Sequence, residues 1–197
     1  MTNDETNDKP VAELLQAAAR HAVPVVRGTR DEQLGDRTPC AEYDVRALLN
    51  HLFQVVINFQ ALAARRDTDF SAVPDVVGED GDWRERFEKE TAALAEAWAA
   101  PGATEGAAGS MGFPALTLAR MALGDLTVHA WDLARATGQR FTPDPAAVAD
   151  VLACFEELAP TARAWGVFAD PFELPDPASA SDFERLLAVT GRDPRWR

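Results

Sequence analysis

The sequence contains few cysteines, few histidines and almost no lysine. Its 197 residues include 2 cysteines and 3 histidines, and Lys9 and Lys89 are its lysines. Two cysteines are too few for a disulfide-stabilised scaffold. The 32 acidic residues outnumber the 19 basic residues and give a formal net charge of −13. This balance argues against a basic surface for nucleic acid or for anionic lipid.

Long apolar runs are also lacking. No stretch reaches the length of a membrane span, and residues 1–8 are too polar and acidic for a signal peptide. We therefore expect a cytoplasmic protein with no nucleic-acid partner and no membrane partner. Residues 1–8 show no periodicity, which is typical of a disordered acidic tail. The remaining residues, 9–197, suit a single domain.

Apolar residues at helical spacing dominate that domain. Predicted helices cover residues 11–26, 44–65, 83–99, 115–137, 145–165 and 182–189. Proline and glycine mark the connections, including a Gly-rich loop over 101–114 and an extended segment over 166–181, and no hairpin is predicted. The predicted fold class is all-α, a four-helix bundle with additional C-terminal helices and an extended tail.

The histidines are the main candidates for chemistry. At 100° per residue, Asp125 lies within about 40° of His129, and the apolar residues of the same helix surround that direction. An imidazole and a carboxylate therefore share the stripe that should face the core. A buried carboxylate is costly unless it is paired or bound to a metal ion.

His51 lies at the edge of the apolar arc on another predicted helix. Together His51, Asp125 and His129 form a candidate set of three metal ligands. Imidazole nitrogen and carboxylate oxygen suit Zn²⁺, with Ni²⁺ or Mn²⁺ as alternatives, and three protein ligands leave a position open, as in catalytic zinc sites. The alternative is a metal-free helix in which Asp125 and His129 form an ion pair and His51 bonds to a backbone carbonyl.

Two cysteines and the third histidine give weaker signals. Cys40 lies in the loop before the second predicted helix, either as a reactive thiol near the site or as a small buried residue. Cys154 lies among apolar residues and is predicted to be in the core. His21 is predicted to be partly exposed, outside the candidate ligand set.

Three further residues of the 115–137 helix have polar or aromatic side chains with a predicted role. Asp132 and Arg135 are three residues apart, which predicts an ion pair on the helix surface. Arg135 is also a candidate for holding an anionic substrate. Trp131 is predicted to pack rather than to bind a ligand.

Three segments resemble a known family. They are TPCAEYDVRALLNHL at 38–52, DLTVHAWDLARATGQ at 125–139 and LLAVTGRDPRW at 186–196. In this order they resemble the DinB/YfiT-like superfamily and, within it, the mycothiol-dependent maleylpyruvate isomerase N-terminal-domain group of actinobacteria. The resemblance implies a DinB/YfiT-like four-helix bundle with a divalent metal at one end.

By position, His51, Asp125 and His129 match the ligands of that family. The characterised isomerase has Glu where this chain has Asp125, and it has a further C-terminal domain that this chain is expected to lack. The isomerase activity is therefore not carried over. The resemblance does imply mycothiol, or a similar low-molecular-weight thiol, as a co-substrate.

Four readings of function stay open. The first is a metal-dependent transferase or isomerase that uses a thiol on a small electrophilic substrate. The second is a metal-dependent hydrolase at the same site, and the third is a non-catalytic metal-binding bundle. The fourth is a metal-free helical protein. Apolar helical faces are also compatible with a homodimer.

Overall fold

Seven α-helices make up most of the chain that the computed structural model describes, residues 9–79, 81–110 and 112–197. The helices are α1 (Val11–Gly28), α2 (Val45–Ala63), α3 (Val76–Glu79), α4 (Trp83–Ala99), α5 (Ala115–Thr137), α6 (Pro145–Ala164) and α7 (Asp182–Val189). The predicted all-α fold class is confirmed. The predicted tail, residues 1–8, lies outside the described residues.

Short elements occupy loops where none was expected. A 3₁₀ turn covers Asp31–Gln33, and α3 lies within the connection between α2 and α4. The Gly-rich loop contains a hairpin of β1 (Ala107–Ala108) and β2 (Phe113–Pro114), so the expectation of no hairpin was wrong. Each strand has two residues, too few to show an alternating pattern in the sequence.

The bundle consists of α1, α2, α4 and α5. The main contacts of α1 and of α2 are both with α4 and α5, so α1 lies diagonally across the bundle from α2. Large apolar side chains with almost no exposure fill the centre. They include Leu14, Leu15, Leu48, Leu49, Leu52, Phe53, Phe87, Leu94, Leu118, Leu123 and Leu126.

Local side chains fix where the helices begin and end. The Asp44 carboxylate accepts a hydrogen bond from the Ala47 N–H at 2.8 Å and starts α2. Asp144 caps α6 in the same way. Gly138 ends α5 with φ of 71°, a left-handed conformation that glycine adopts without steric cost.

A second layer covers one side of the bundle. α6 packs on α5, and α7 packs on α6. The chain between α6 and α7 runs back along α7, where the Phe172 N–H donates to the Ala188 carbonyl. This path returns the residues after α7 to the side of α5. Within the described residues, no helix is both long and apolar enough to cross a membrane.

The contact between α5 and α6 depends on a glycine. A Cβ atom at Gly124 would lie 2.1 Å from Cζ of Phe155. We expect Gly124→Ala to destabilise the protein by about 1–3 kcal/mol through overpacking, despite the higher helix propensity of alanine. Urea unfolding measures the change. Gly35→Ala is the control, because a Cβ there meets no atom within 4 Å; equal stability of the two variants would contradict the prediction.

Candidate metal site

The packing of α2 against α5 brings the three predicted ligands together. His51 comes from α2, and Asp125 and His129 come from α5. One ligand atom from each residue lies within 4.8 Å of the other two. The two imidazole rings have centroids 5.0 Å apart and are nearly perpendicular. His129 is buried, whereas His51 and Asp125 are half-buried at the wall of a cavity.

His129 is oriented by a buried carboxylate. Its Nδ1 lies 2.9 Å from Oδ2 of Asp132, whose side chain has 0% exposure. An ionised carboxylate only accepts hydrogen bonds, so the Nδ1–H of His129 donates to it. The lone pair of Nε2 is then free, and Nε2 lies 3.8 Å from Oδ1 of Asp125. Histidines that bind metals are held by such a bond from the other ring nitrogen.

His51 is oriented by an amide. Its Nδ1 lies 3.2 Å from Oε1 of Gln54. The Gln54 amide nitrogen donates to the backbone carbonyls of Phe70 and Ala72, which assigns Oε1 as the acceptor. The Nδ1–H of His51 therefore donates, and its Nε2 is free. Burial, followed by the nearby His129, lowers the pKa of His51, which favours the neutral form that binds metals.

Neither of the two residues that orient the histidines was predicted from the sequence. Gln54 and Asp132 each follow their histidine by three residues, on different helices, and this shared spacing is the signal that could have found them. The expected surface pair of Asp132 and Arg135 was wrong. Asp132 is fully buried and pairs with His129 and Arg192. Arg135 instead donates to the backbone carbonyl of Trp196.

Arg192 ties the C-terminal segment to the site. Its Nη2 lies 3.1 Å from Oδ2 of Asp132, and its Nη1 donates to the Thr190 carbonyl at 2.8 Å. The Arg192 side chain is 11% exposed. Asp132 is thus a buried carboxylate that shares one oxygen between an imidazole and a guanidinium. That arrangement compensates a charge that would otherwise be costly to bury.

The two cysteines differ in their relation to the site. Cys40 is half-buried in the cavity wall, and its sulfur lies within 4.8 Å of ligand atoms of His129 and Asp132. Burial raises the pKa of Cys40 although Arg192 opposes the shift, so the thiol is protonated near neutral pH. Cys154 packs against the core, and burial raises its pKa to about 11.

Two other expectations agree with the structure. His21 is half-buried on α1 and belongs to none of the candidate ligand groups among the described residues. Trp131 is buried, and its ring packs edge-on against Phe183.

A cavity of about 580 Å³ opens beside the three candidate ligands. Tyr43 lies at its wall and stacks on His51, with ring centroids 5.0 Å apart. Much of the remaining wall is apolar. Its larger apolar side chains are Val55, Phe59, Leu62, Phe70, Leu118, Met121, Val128, Phe155, Val167 and Phe168. The size falls within the range of roughly 300–1,000 Å³ found for small-molecule sites.

The donor set suits a divalent ion. Two imidazole nitrogens and one carboxylate oxygen are the protein ligands of many catalytic zinc sites. Both imidazoles are held in the tautomer that leaves Nε2 free, and the carboxylate lies one helical turn from His129. The residues present therefore fit a bound Zn²⁺, with the cavity beside it available to a ligand.

Comparison with known proteins gives a family match over much of the chain. The sequence model of the mycothiol maleylpyruvate isomerase N-terminal domain matches residues 15–134. Two uncharacterized proteins of Mycobacterium tuberculosis, MT0763 of strain CDC 1551 / Oshkosh and Rv0738 of strain H37Rv, are each 31% identical over 178 residues. The match covers 87% of this chain and 91% of each relative. No solved structure matches this chain.

The buried pair of Asp132 and Arg192 generates a stability prediction. We expect Arg192→Met to destabilise the protein by about 3 kcal/mol or more, because the buried Asp132 carboxyl group then loses the guanidinium that compensates its burial. Arg185→Met is the matched control, since Arg185 and Asp182 form a pair that is 45% and 58% exposed and such pairs contribute about 0–1 kcal/mol. Urea unfolding compares the two, and equal losses would contradict the prediction.

Proposed function

This chain belongs to the mycothiol maleylpyruvate isomerase N-terminal domain family, and on that premise we propose that it is a divalent-metal protein that uses a small thiol. In this proposal His51, Asp125 and His129 hold the ion, most favourably Zn²⁺ and otherwise Ni²⁺ or Mn²⁺. Mycothiol, or a similar low-molecular-weight thiol, is the co-substrate, and a small electrophile is the substrate. The activity is that of a transferase or isomerase.

One observation carries the proposal. Both candidate histidine ligands donate their Nδ1–H to a fixed acceptor, Gln54 for His51 and Asp132 for His129. This leaves two Nε2 lone pairs beside the Asp125 carboxylate, which is the arrangement expected of metal ligands. An ion pair between Asp125 and His129 alone would not explain why His51 lies beside them. It would also not explain why both histidines donate to a fixed acceptor.

The simplest reaction of this class is addition of the thiol S–H across an activated double bond. The sulfur–carbon bond forms while the π bond breaks, and the thiol proton ends on the neighbouring carbon, so no oxidant or reductant is consumed. When bound, a divalent ion stabilises a thiolate near neutral pH. The chain's own residues orient the ligands, and the apolar wall keeps water from the reacting carbon.

Asp125 replaces the Glu of the characterised isomerase and has a shorter side chain. It lies one turn before His129 on the same helix, so its position relative to His129 is set by the helix backbone. We propose that it is a direct ligand. We also propose that residues 9–197 form one domain, because residues of both the bundle and the C-terminal segment line the cavity.

The metal site is tested by metal content. Untagged protein incubated with Zn²⁺ and desalted should retain about one ion per chain by mass spectrometry. The double variant His51→Ala, His129→Ala should retain little. The matched control is His21→Ala, because His21 lies outside the candidate group and its loss should leave the zinc content unchanged. A parent protein that stays free of zinc would refute the proposal.

The thiol is tested separately from the substrate. Cobalt-substituted protein titrated with N-acetylcysteine should gain a thiolate-to-cobalt charge-transfer absorption, because the ion retains an open position. N-acetylserine, which differs in one atom, should give no such band. If neither compound changes the spectrum, the thiol chemistry is refuted, and hydrolysis or a non-catalytic role at the same ion remains.

Three expectations from the sequence stay predictions. They are the cytoplasmic location, the homodimer and the lack of a nucleic-acid partner.

A further inference from the structure

The cavity wall is apolar almost up to the candidate ligands. α2 contributes Val55, Phe59 and Leu62, and α5 contributes Leu118 and Met121. Most of these residues are buried in the walls of the bundle. A ligand that reaches the metal site through this cavity therefore exchanges water for hydrocarbon along most of its length.

The cavity offers no free cation to an acidic ligand. Among the described residues that line it, Glu42 and Asp125 are acidic, and Arg192 is the one lysine or arginine. The guanidinium of Arg192 already donates to Asp132 and to the Thr190 carbonyl. Its Nε has no hydrogen-bond partner among the described residues but is buried, and the Asp132 carboxylate balances the charge of the guanidinium. The formal charges of the two acidic residues and Arg192 sum to −1. The buried Asp132 behind them brings the formal charge to −2. A divalent ion would bring this sum to zero.

The mouth of the cavity is apolar as well. Four large apolar side chains are exposed within the described part of the chain, and two of them line the cavity: Phe70 at 39% exposure and Val167 at 62%. A third, Trp165, precedes Val167 by two residues and packs on Phe113, with ring centroids 5.8 Å apart. Exposed apolar groups gathered at a cavity entrance are typical of a surface that meets an apolar ligand.

Part of this wall lies outside the segment shared with the family. The matched region ends at residue 134, whereas Phe155, residues 166–169 and residues 190–192 also line the cavity. The candidate ligands all lie inside the matched region. The candidate metal site therefore lies within the matched region, while much of the surface that would select the substrate is contributed by the C-terminal layer.

We propose that the cavity selects a neutral substrate with an apolar body, such as an aryl or branched alkyl electrophile, and rejects dicarboxylates. The electrophilic end would lie beside His51 and His129, and the apolar body would fill the space between Phe59, Met121 and Phe155. This proposal names the class of substrate. It rests on the proposed function, which supplies the reaction. It departs from the dicarboxylic acid in the name of the family.

The physical reason is desolvation. A carboxylate that enters an apolar cavity without a free cation loses its hydration and gains no compensating partner. One carboxylate could approach the ion, but a second would have to lie against the hydrocarbon wall. A neutral body of the same shape loses little hydration energy and removes apolar surface from water.

The test uses a neutral fluorescent probe, N-phenyl-1-naphthylamine, with the full chain incubated with Zn²⁺ and desalted. The probe should bind with enhanced fluorescence. Diethyl phthalate should displace it, whereas phthalate, the same skeleton with two ionised carboxylates near neutral pH, should be weaker by at least about tenfold because of the desolvation cost. Equal displacement by the ester and the dianion would overturn the inference.

Matched variants locate the probe. Val167→Glu places a charge at the mouth and should weaken probe binding at least about tenfold, whereas Val73→Glu, at a valine that is 53% exposed and outside the lining, should leave it within about twofold. Met121→Trp, which fills the cavity, should also weaken binding. If Val167→Glu and Met121→Trp bind like the parent, the probe lies elsewhere and the inference fails.

These outcomes are distinguishable from those of the metal test. Probe selectivity in a chain that takes up no zinc would refute the proposed function and leave the apolar cavity as a binding site. Zinc and thiol binding without probe binding, or without preference for the ester, would refute the substrate class alone.

Discussion

Asp132 carries a carboxylate with no exposed surface, and its Oδ2 lies within hydrogen-bond distance of both His129 and Arg192. This shared oxygen connects three parts of the molecule: the C-terminal part of α5, the imidazole that faces the cavity, and the segment after α7. A buried carboxylate requires compensation, so neither partner can leave without a large loss of stability. The orientation of His129, and with it the candidate metal site, therefore depends on an interaction that lies behind the site.

The bundle geometry supplies the rest of the arrangement. α5 is covered by α1, α2 and α6, so it carries polar groups into a region that is otherwise apolar. His51 reaches the same region from α2 and is held by Gln54, whose amide is in turn held by the backbone carbonyls of Phe70 and Ala72. Each histidine is thus fixed through a neighbour one turn away. On the side where the C-terminal segment returns, residues 190–192 complete the cavity wall.

Much of this could be predicted from the sequence. The helices α4 and α5 were placed correctly because proline and glycine residues mark their ends in the sequence. Asp125 and His129 were expected to point in the same direction, because residues four apart on a helix lie on the same face. Asp132 was misplaced because a local rule favoured Arg135, whereas one of its two partners, Arg192, lies 60 residues away in sequence. The short hairpin and the cavity wall depend on contacts between distant segments, which periodicity cannot show.

The long separation between Asp132 and Arg192 also couples the packing of α5 to a distant part of the chain. α5 is synthesised well before the residue that neutralises its buried carboxylate. Without Arg192, burial of the Asp132 carboxylate is costly, since the guanidinium that balances its charge is missing. The final packing around Asp132 therefore depends on docking of the segment after α7. That segment supplies both the balancing charge and, with residues 190–192, part of the cavity wall.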